Sequence, residues 1–151
     1  MTDPCQFDLV DFLPYLLNIA AEETSLGFSR TYKERYGMLR TEWRVLFHLG
    51  RYGPMTARDI SDRARTHKTK VSRAVAALEG RRFLMRERMD EDLRQERLSL
   101  TAAGSAAYKD LCRTARVYDA QQMAMFSPRE QAVLRSCLQR LAKLDPANRP
   151  G

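Results

Sequence analysis

The sequence predicts a mainly α-helical chain with one small β-hairpin, and three observations carry that prediction. Apolar residues recur at helical spacing along most of the 151 residues. Residues 83–101 switch instead to an alternating period around a polar, charged centre. Glycine and proline sit at the joints between periodic segments, as in "RYGP" (51–54) and "SPRE" (127–130).

Leu13, Leu16, Leu17 and Ala20 form an i, i+3, i+4, i+7 stripe that Phe28 and Tyr32 extend, so the first third reads as one long helix. Pro14 lacks an N–H to give to a preceding turn, which puts the helix start, or a kink, beside it. Gly37 ends the helix. Thr41 is the expected cap of a second helix with the face Trp43, Leu46, Phe47 and Gly50, stopped by Gly53 and Pro54. Thr56 with Asp59 resembles a capping box and opens a short helix through Ile60 and Ala64. After a break at "RTH" comes "THKTKVSRAVAALEGRRF" (66–83), a helix with Val71, Val75 and Leu78 on one side. This stretch holds five basic side chains and one acidic one.

Phe83, Leu84 and Met85 start a strand, residues 97–100 alternate as its return, and "MDEDLR" between them suits a hairpin tip. A striped helix then runs through Ala103, Ala106, Ala107, Leu111, Ala115 and Tyr118. Ser127 as cap, Pro128 at the first position and Glu130 at the third start a last helix bearing Val133, Leu134, Cys137, Leu138, Leu141 and Leu144.

Two short helices joined by a tight turn, the second one basic, make a helix-turn-helix. With the hairpin behind it the unit is a winged helix-turn-helix. The long striped helices at the two ends carry more apolar surface than so small a unit can cover, so they are expected to come together and bury it against a second copy. The expected divisions are an N-terminal dimerisation helix (1–40), the winged helix-turn-helix (41–101), C-terminal dimerisation helices (102–145) and a disordered tail (146–151).

Composition narrows the function. The net charge is +7, with 13 basic against 8 acidic side chains in residues 51–100 and 5 against 7 in residues 1–50. Such polarisation suits a polyanion. No apolar run approaches the roughly 18 residues of a membrane span. Met1 to Phe12 is acidic and lacks the basic start of a secretory signal, so the expected location is the cytoplasm. The three cysteines show no CxxC spacing, so neither a disulfide framework nor a zinc site is expected. Cys112 and Cys137 fall in helices as small hydrophobes, while Cys5 precedes the first helix as a candidate reactive thiol. No phosphate-binding glycine loop or HExxH motif occurs, and His48 and His67 neighbour no nucleophile motif, so no enzyme, metal or cofactor is expected.

The segments "TEWRVLFHLGRYGPMTARDIS" (41–61), "KVSRAVAALEGRRFLMR" (70–86) and "DEDLRQERLSLTAAG" (90–104) resemble, in order and spacing, the multiple-antibiotic-resistance regulators, the MarR-type winged-helix family. The flanking helices fit that family's dimerisation helices. The resemblance implies a homodimeric, DNA-binding transcriptional regulator, expected to be a repressor released by a small aromatic or phenolic acid. Two positions depart from the family's pattern. Arg82 stands where many relatives have Gly at a left-handed helix exit, and Asp92-Leu93-Arg94 replaces an aspartate followed by two arginines. Relatives that sense peroxides carry a cysteine in the first long helix, where this chain has Tyr15.

With Val71, Val75 and Leu78 inward, His67, Lys68, Thr69, Lys70, Ser72 and Arg73 face outward at the positively polarised start of their helix. In a helix-turn-helix those residues meet the major groove, where Arg73 or Lys68 suits guanine and Thr69 and Ser72 suit phosphate. The plain alternative is a solvated charged face. Arg94 suits an adjacent minor groove, Asp92 suits an ion pair that shapes the wing, and Arg86, Arg88 and Arg97 are further candidate phosphate contacts. Two such helices about 34 Å apart would require an inverted-repeat operator in double-stranded DNA. For the effector implied by the resemblance, the second helix offers Trp43, Arg44 and His48, although Trp43 equally suits plain core. A non-specific nucleic-acid packager with the same fold is the sharpest rival. A membrane-surface binder is not expected, because the basic helix commits its large apolar residues to the core.

Overall fold

The computed structural model describes residues 6–89 and 92–144; Cys5 and the 146–151 tail lie outside the described residues. The chain divides into two compact units, Met1–Met38 and Leu39–Gly151. In the first, a single 3-10 turn, Leu9–Asp11, is capped by Asp8, whose Oδ1 accepts from Val10 N at 3.1 Å. Helix α1, Leu13–Tyr36, starts rather than kinks at Pro14, which occupies its first turn. It ends at Gly37, left-handed at φ 61°, where Gly37 N and Met38 N donate to the carbonyls of Lys33 and Tyr32. Phe28 and Tyr32 are its buried residues, edge to face at 5.6 Å, whereas Leu13, Leu16, Ile19 and Leu26 are exposed.

The second unit begins with α2, Arg40–Tyr52, whose N-cap is Leu39 and not Thr41. Glu42, at the third helical position, reaches back to accept from Leu39 N, the carboxylate half of a capping box without a hydroxyl at the cap. The buried residues of α2 are Glu42, Val45, Leu46 and Leu49, which corrects the expected face. Trp43, Phe47 and Gly50 form a second, half-buried stripe. Strand β1, Met55–Thr56, was not expected: two residues are too few to show a period. It pairs with the second hairpin strand to give a three-stranded antiparallel sheet in the order β1-β3-β2.

Thr56 caps α3, Ala57–Ala64, and exchanges bonds with Asp59 as the sequence predicts. Helix α4, Lys68–Gly80, packs against α2 and α3 and buries Val71, Ala74, Val75 and Leu78. Strands β2, Leu84–Met89, and β3, Asp92–Leu100, are longer than the sequence indicated. The extra length is carried by the backbone ladder, in which Glu87 stands across from Arg97 and Arg88 across from Glu96. Helix α5, Ala102–Met123, buries Gly104, Ala107 and Leu111 while Ala103 and Ala106 face out. Helix α6, Pro128–Leu141, has the expected capping box but buries none of its residues. Cys112 and Cys137 are half-buried.

The exit of α4 explains the "LTAAG" pattern. Arg82 takes up the left-handed conformation, φ 61°, which glycine adopts without strain. Arg82 N and Phe83 N then bond back to the carbonyls of Glu79 and Leu78 at 2.9 Å each. Thr101 ties this exit to α5: its hydroxyl donates to Arg82 O at 2.7 Å and accepts from Gly104 N at 3.0 Å. Phe83 O lies so near Gly104 that a Cβ there would sit 1.9 Å from it.

Replacing Gly104 by Ala therefore pushes backbone against backbone, and thermal melting should register a loss of about 1–3 kcal/mol. Arg82→Gly should instead stabilise by about 0.5–1 kcal/mol, because left-handed strain on a side-chain-bearing residue exceeds the added freedom of glycine. An Arg82→Gly protein that melts lower would mean that the arginine side chain holds the exit together.

Candidate nucleic-acid interface

The residues singled out on the basic helix lie together. His67 is the N-cap of α4, its ring Nδ1 accepting from Thr69 N at 3.2 Å. Lys68, Thr69, Lys70, Ser72 and Arg73 are all exposed along the first two turns. The cause is the apolar phase: once Val71, Ala74, Val75 and Leu78 point at α2 and α3, the intervening positions must point to water. The first turn holds no acid. Among the described residues no carboxylate pairs with Lys68, Lys70 or Arg73, so three exposed cations stand in the first two turns, beside a helix N-terminus.

The turn before α4 is stiff. Ser61 Oγ donates to Thr66 O at 2.6 Å, Thr66 N donates to Ser61 O at 3.1 Å, and Thr66 Oγ1 donates to Ala64 O at 3.1 Å. At the other end of α4, Arg81 Nη1 lies 3.8 Å from the Glu42 carboxylate, which is nearly fully buried. Sequence reasoning missed Glu42. Its signal was the glutamate three residues after Leu39, the capping-box spacing without a hydroxyl at the cap.

On the wing the candidate arginines divide. Arg86 bonds to Glu79 at 2.8 Å through Nε and to Glu96 at 3.1 Å through Nη1. Burial acts to lower its pKa, but the hydrogen bonds and charges of Glu96 and Glu79 outweigh it and hold the guanidinium above its ordinary value. Arg86 thus fastens the wing to α4. Arg86 and Arg88 share one face of the hairpin by register, and Arg97 lies on the other, across from Glu87 and beside Thr56. Arg94 is exposed on β3 towards the tip. Residues 90–91, and the side chains of Asp92 and Leu93, lie outside what is described, the Asp92 ion pair included.

The three effector candidates sit on α2 among aromatic rings. Trp43 meets Phe47 edge to face at 5.0 Å, and Phe47 meets Tyr108 of α5 in the same way at 5.2 Å. Arg44 Cζ is 6.0 Å from the Trp43 ring, and His48 Nδ1 is 2.7 Å from Arg44 O. Gly50 lies under Tyr108, whose ring would be 2.4 Å from a Cβ there. Burial pushes the Tyr108 phenol up; its hydrogen bond with Cys112 adds to this, and the charges of Arg51 and Arg116 oppose it. A cavity of about 400 Å³ lies elsewhere, at the foot of the wing, with Thr56, Arg58, Gln95 and Arg97 in its wall, and none of the three candidates lines it.

A short helix, a stiff turn, a second helix with a buried apolar stripe and a cationic start, and a hairpin behind it make up a winged helix-turn-helix, a class of DNA-binding protein. Residues 36–95 match the MarR family. No curated protein sequence matches the chain. Solved structures do: a MarR/EmrR family transcriptional regulator from Acinetobacter is 26% identical over 91% of this chain and 96% of its own, with a TM-score of 0.80. The Bordetella bronchiseptica regulator BpsR, studied for regulation of its DNA binding by 6-hydroxynicotinic acid, is 18% identical over 92% and 99%, TM-score 0.83. The Staphylococcus aureus protein MepR, solved with DNA, is 17% identical over 87% and 96%, TM-score 0.76. The chain is thus a winged-helix protein that is similar to the MarR family over residues 36–95.

The division among arginines has a measurable consequence. Arg73→Ala and Lys68→Ala should each weaken DNA binding, with the salt slope reduced by about one where the lost contact is to phosphate. Arg86→Ala should leave that slope unchanged and lower the melting temperature slightly, its half-exposed pairs being worth under about 1 kcal/mol. Reversal of the two behaviours in titrations and melts would overturn the assignment.

Proposed function

We propose that the protein is a homodimeric transcriptional regulator, acting as a repressor in the cytoplasm, that grips an inverted-repeat operator and lets go when a small aromatic or phenolic acid binds. The observation that carries the DNA-binding part is the exposure of Lys68, Lys70 and Arg73, without carboxylate partners among the described residues, in the first two turns of α4. In this reading Arg73 or Lys68 meets base edges, and His67, Thr69, Lys70 and Ser72 position the helix on the backbone. Arg94 reaches a flanking minor groove, and Arg88 and Arg97 add phosphate contacts. Arg86, engaged with two glutamates, contributes by holding the wing. The complex of MepR with DNA supports this use of the fold.

The dimer rests on apolar surface. Leu13, Leu16, Ile19 and Leu26 of α1, and Val133, Leu138 and Leu141 of α6, are each 40% or more exposed in the single chain. Faces of that kind on long helices favour burial against a second copy. The effector reading draws on BpsR, whose DNA binding 6-hydroxynicotinic acid regulates. Trp43 for stacking, Arg44 for a carboxylate and His48 as a titratable neighbour are the residues proposed to meet such a ligand. Release requires that the ligand favour a dimer with misplaced reading helices, since it can shift the equilibrium only by its differential affinity.

Selection from a random duplex pool tests the reading against that of a non-specific packager. Inverted repeats with half-sites about one helical turn apart, preferred over scrambled duplex by ~10³-fold or more, are the expected outcome. Between about 50 and 200 mM salt the affinity should fall by roughly 10³–10⁵-fold if 6–10 phosphates are contacted. Recovery of unrelated sequences bound equally well would favour the packager.

A further inference from the structure

Arg65 occupies an unusual place. It is the residue after α3, left-handed at φ 49° and ψ 45°, where glycine would be the cheapest choice. Its guanidinium crosses to the far end of the same unit and donates through Nη1 to Ala142 O and through Nη2 to Lys143 O, the latter at 3.4 Å. Those carbonyls belong to the C-cap of α6 and the residue after it, at the negative end of the helix dipole. Lys143 is itself left-handed at φ 55°. Two strained helix ends, neither of them glycine, are thus clipped together by one cationic fork.

What lies on each side of the clip gives it meaning. On one side is the stiff Ser61–Thr66 turn that leads directly into α4, so a shift of Arg65 moves the start of the basic helix. On the other, Leu138, Leu141 and Leu144 stand exposed around the end of α6, at 40%, 50% and 55%. We propose that Arg65 is a positioning residue that locks the end of α6 to the helix-turn-helix and so sets the distance between the two reading helices of the dimer. The inference rests on the dimeric, operator-binding reading above. Arg65 acts through α6 and not by touching DNA.

Two variants test it: Arg65→Gly, which suits the left-handed backbone, and Arg65→Asn, which also tolerates it and keeps a polar side chain. Both are compared with the wild type on inverted repeats whose half-site spacing is varied by one base pair either way, at several salt concentrations. The wild type should lose about tenfold or more in affinity at the wrong spacing, a loss of the size a mismatched base pair causes. Both variants should lose less than about threefold while keeping the wild-type salt slope to within about one counterion. A variant as selective for spacing as the wild type overturns the inference and leaves the DNA-binding reading standing. So does a variant that keeps the selectivity but loses about one unit of salt slope, which would make Arg65 a phosphate contact. A wild type indifferent to spacing removes both the inference and the dimeric reading.

Discussion

The burial of one face of α4 is the constraint on which everything else depends. Val71, Val75 and Leu78 are 1% exposed or less, and burying side chains of this size is worth about 1.5–3 kcal/mol each. A rotation of α4 about its axis would forfeit that burial and turn charged, exposed positions of the helix towards the core. The charges face outward because the apolar residues cannot. The exposed basic surface is a by-product of core packing, which holds it in place.

Around that helix the fold spends its polar groups on joints. Glu42 closes the start of α2 and lies beside Arg81 at the end of α4. Thr101 links the strained exit at Arg82 to the start of α5, and Gly104 leaves room for Phe83 O. Arg86 ties the wing back to Glu79 at the end of α4 and to Glu96 on β3. Each joint fixes an end of an element instead of adding to the core. The eight-residue α3 is fixed in the same way, by Thr56 and Asp59 at its start and by Ser61 and Thr66 at its end.

Much of this was legible in the sequence, because its strongest signals are local. Periodicity and caps placed α1, α3, α4, α5 and α6, and the outward set from His67 to Arg73 followed from the phase of Val71, Val75 and Leu78. The errors arose where local chemistry had a substitute. Thr41 had the right hydroxyl, but Glu42 could cap Leu39 from within the helix. The stripe of Trp43 and Phe47 was apolar, yet the deeper face of α2 used Glu42, Val45, Leu46 and Leu49, because the helix is packed from two sides. The wing strands ran on past their apolar residues through backbone pairing of charged residues, which alternation of hydrophobicity does not register. Arg65 was invisible for another reason: its acceptors are backbone carbonyls 77 and 78 residues away, and no side-chain pattern marks them.

The most direct test of the central claim is amide hydrogen exchange of the full-length protein with and without an operator duplex obtained by selection. The backbone N–H groups at the start of α4 lack helical partners, so they exchange quickly unless something covers them. If the first two turns of α4 enter the groove, the segment from Thr66 to Arg73 slows on adding the duplex while the end of the helix near Glu79 changes little. Protection concentrated on another element, with Thr66 to Arg73 exchanging as in the free protein, would contradict the account.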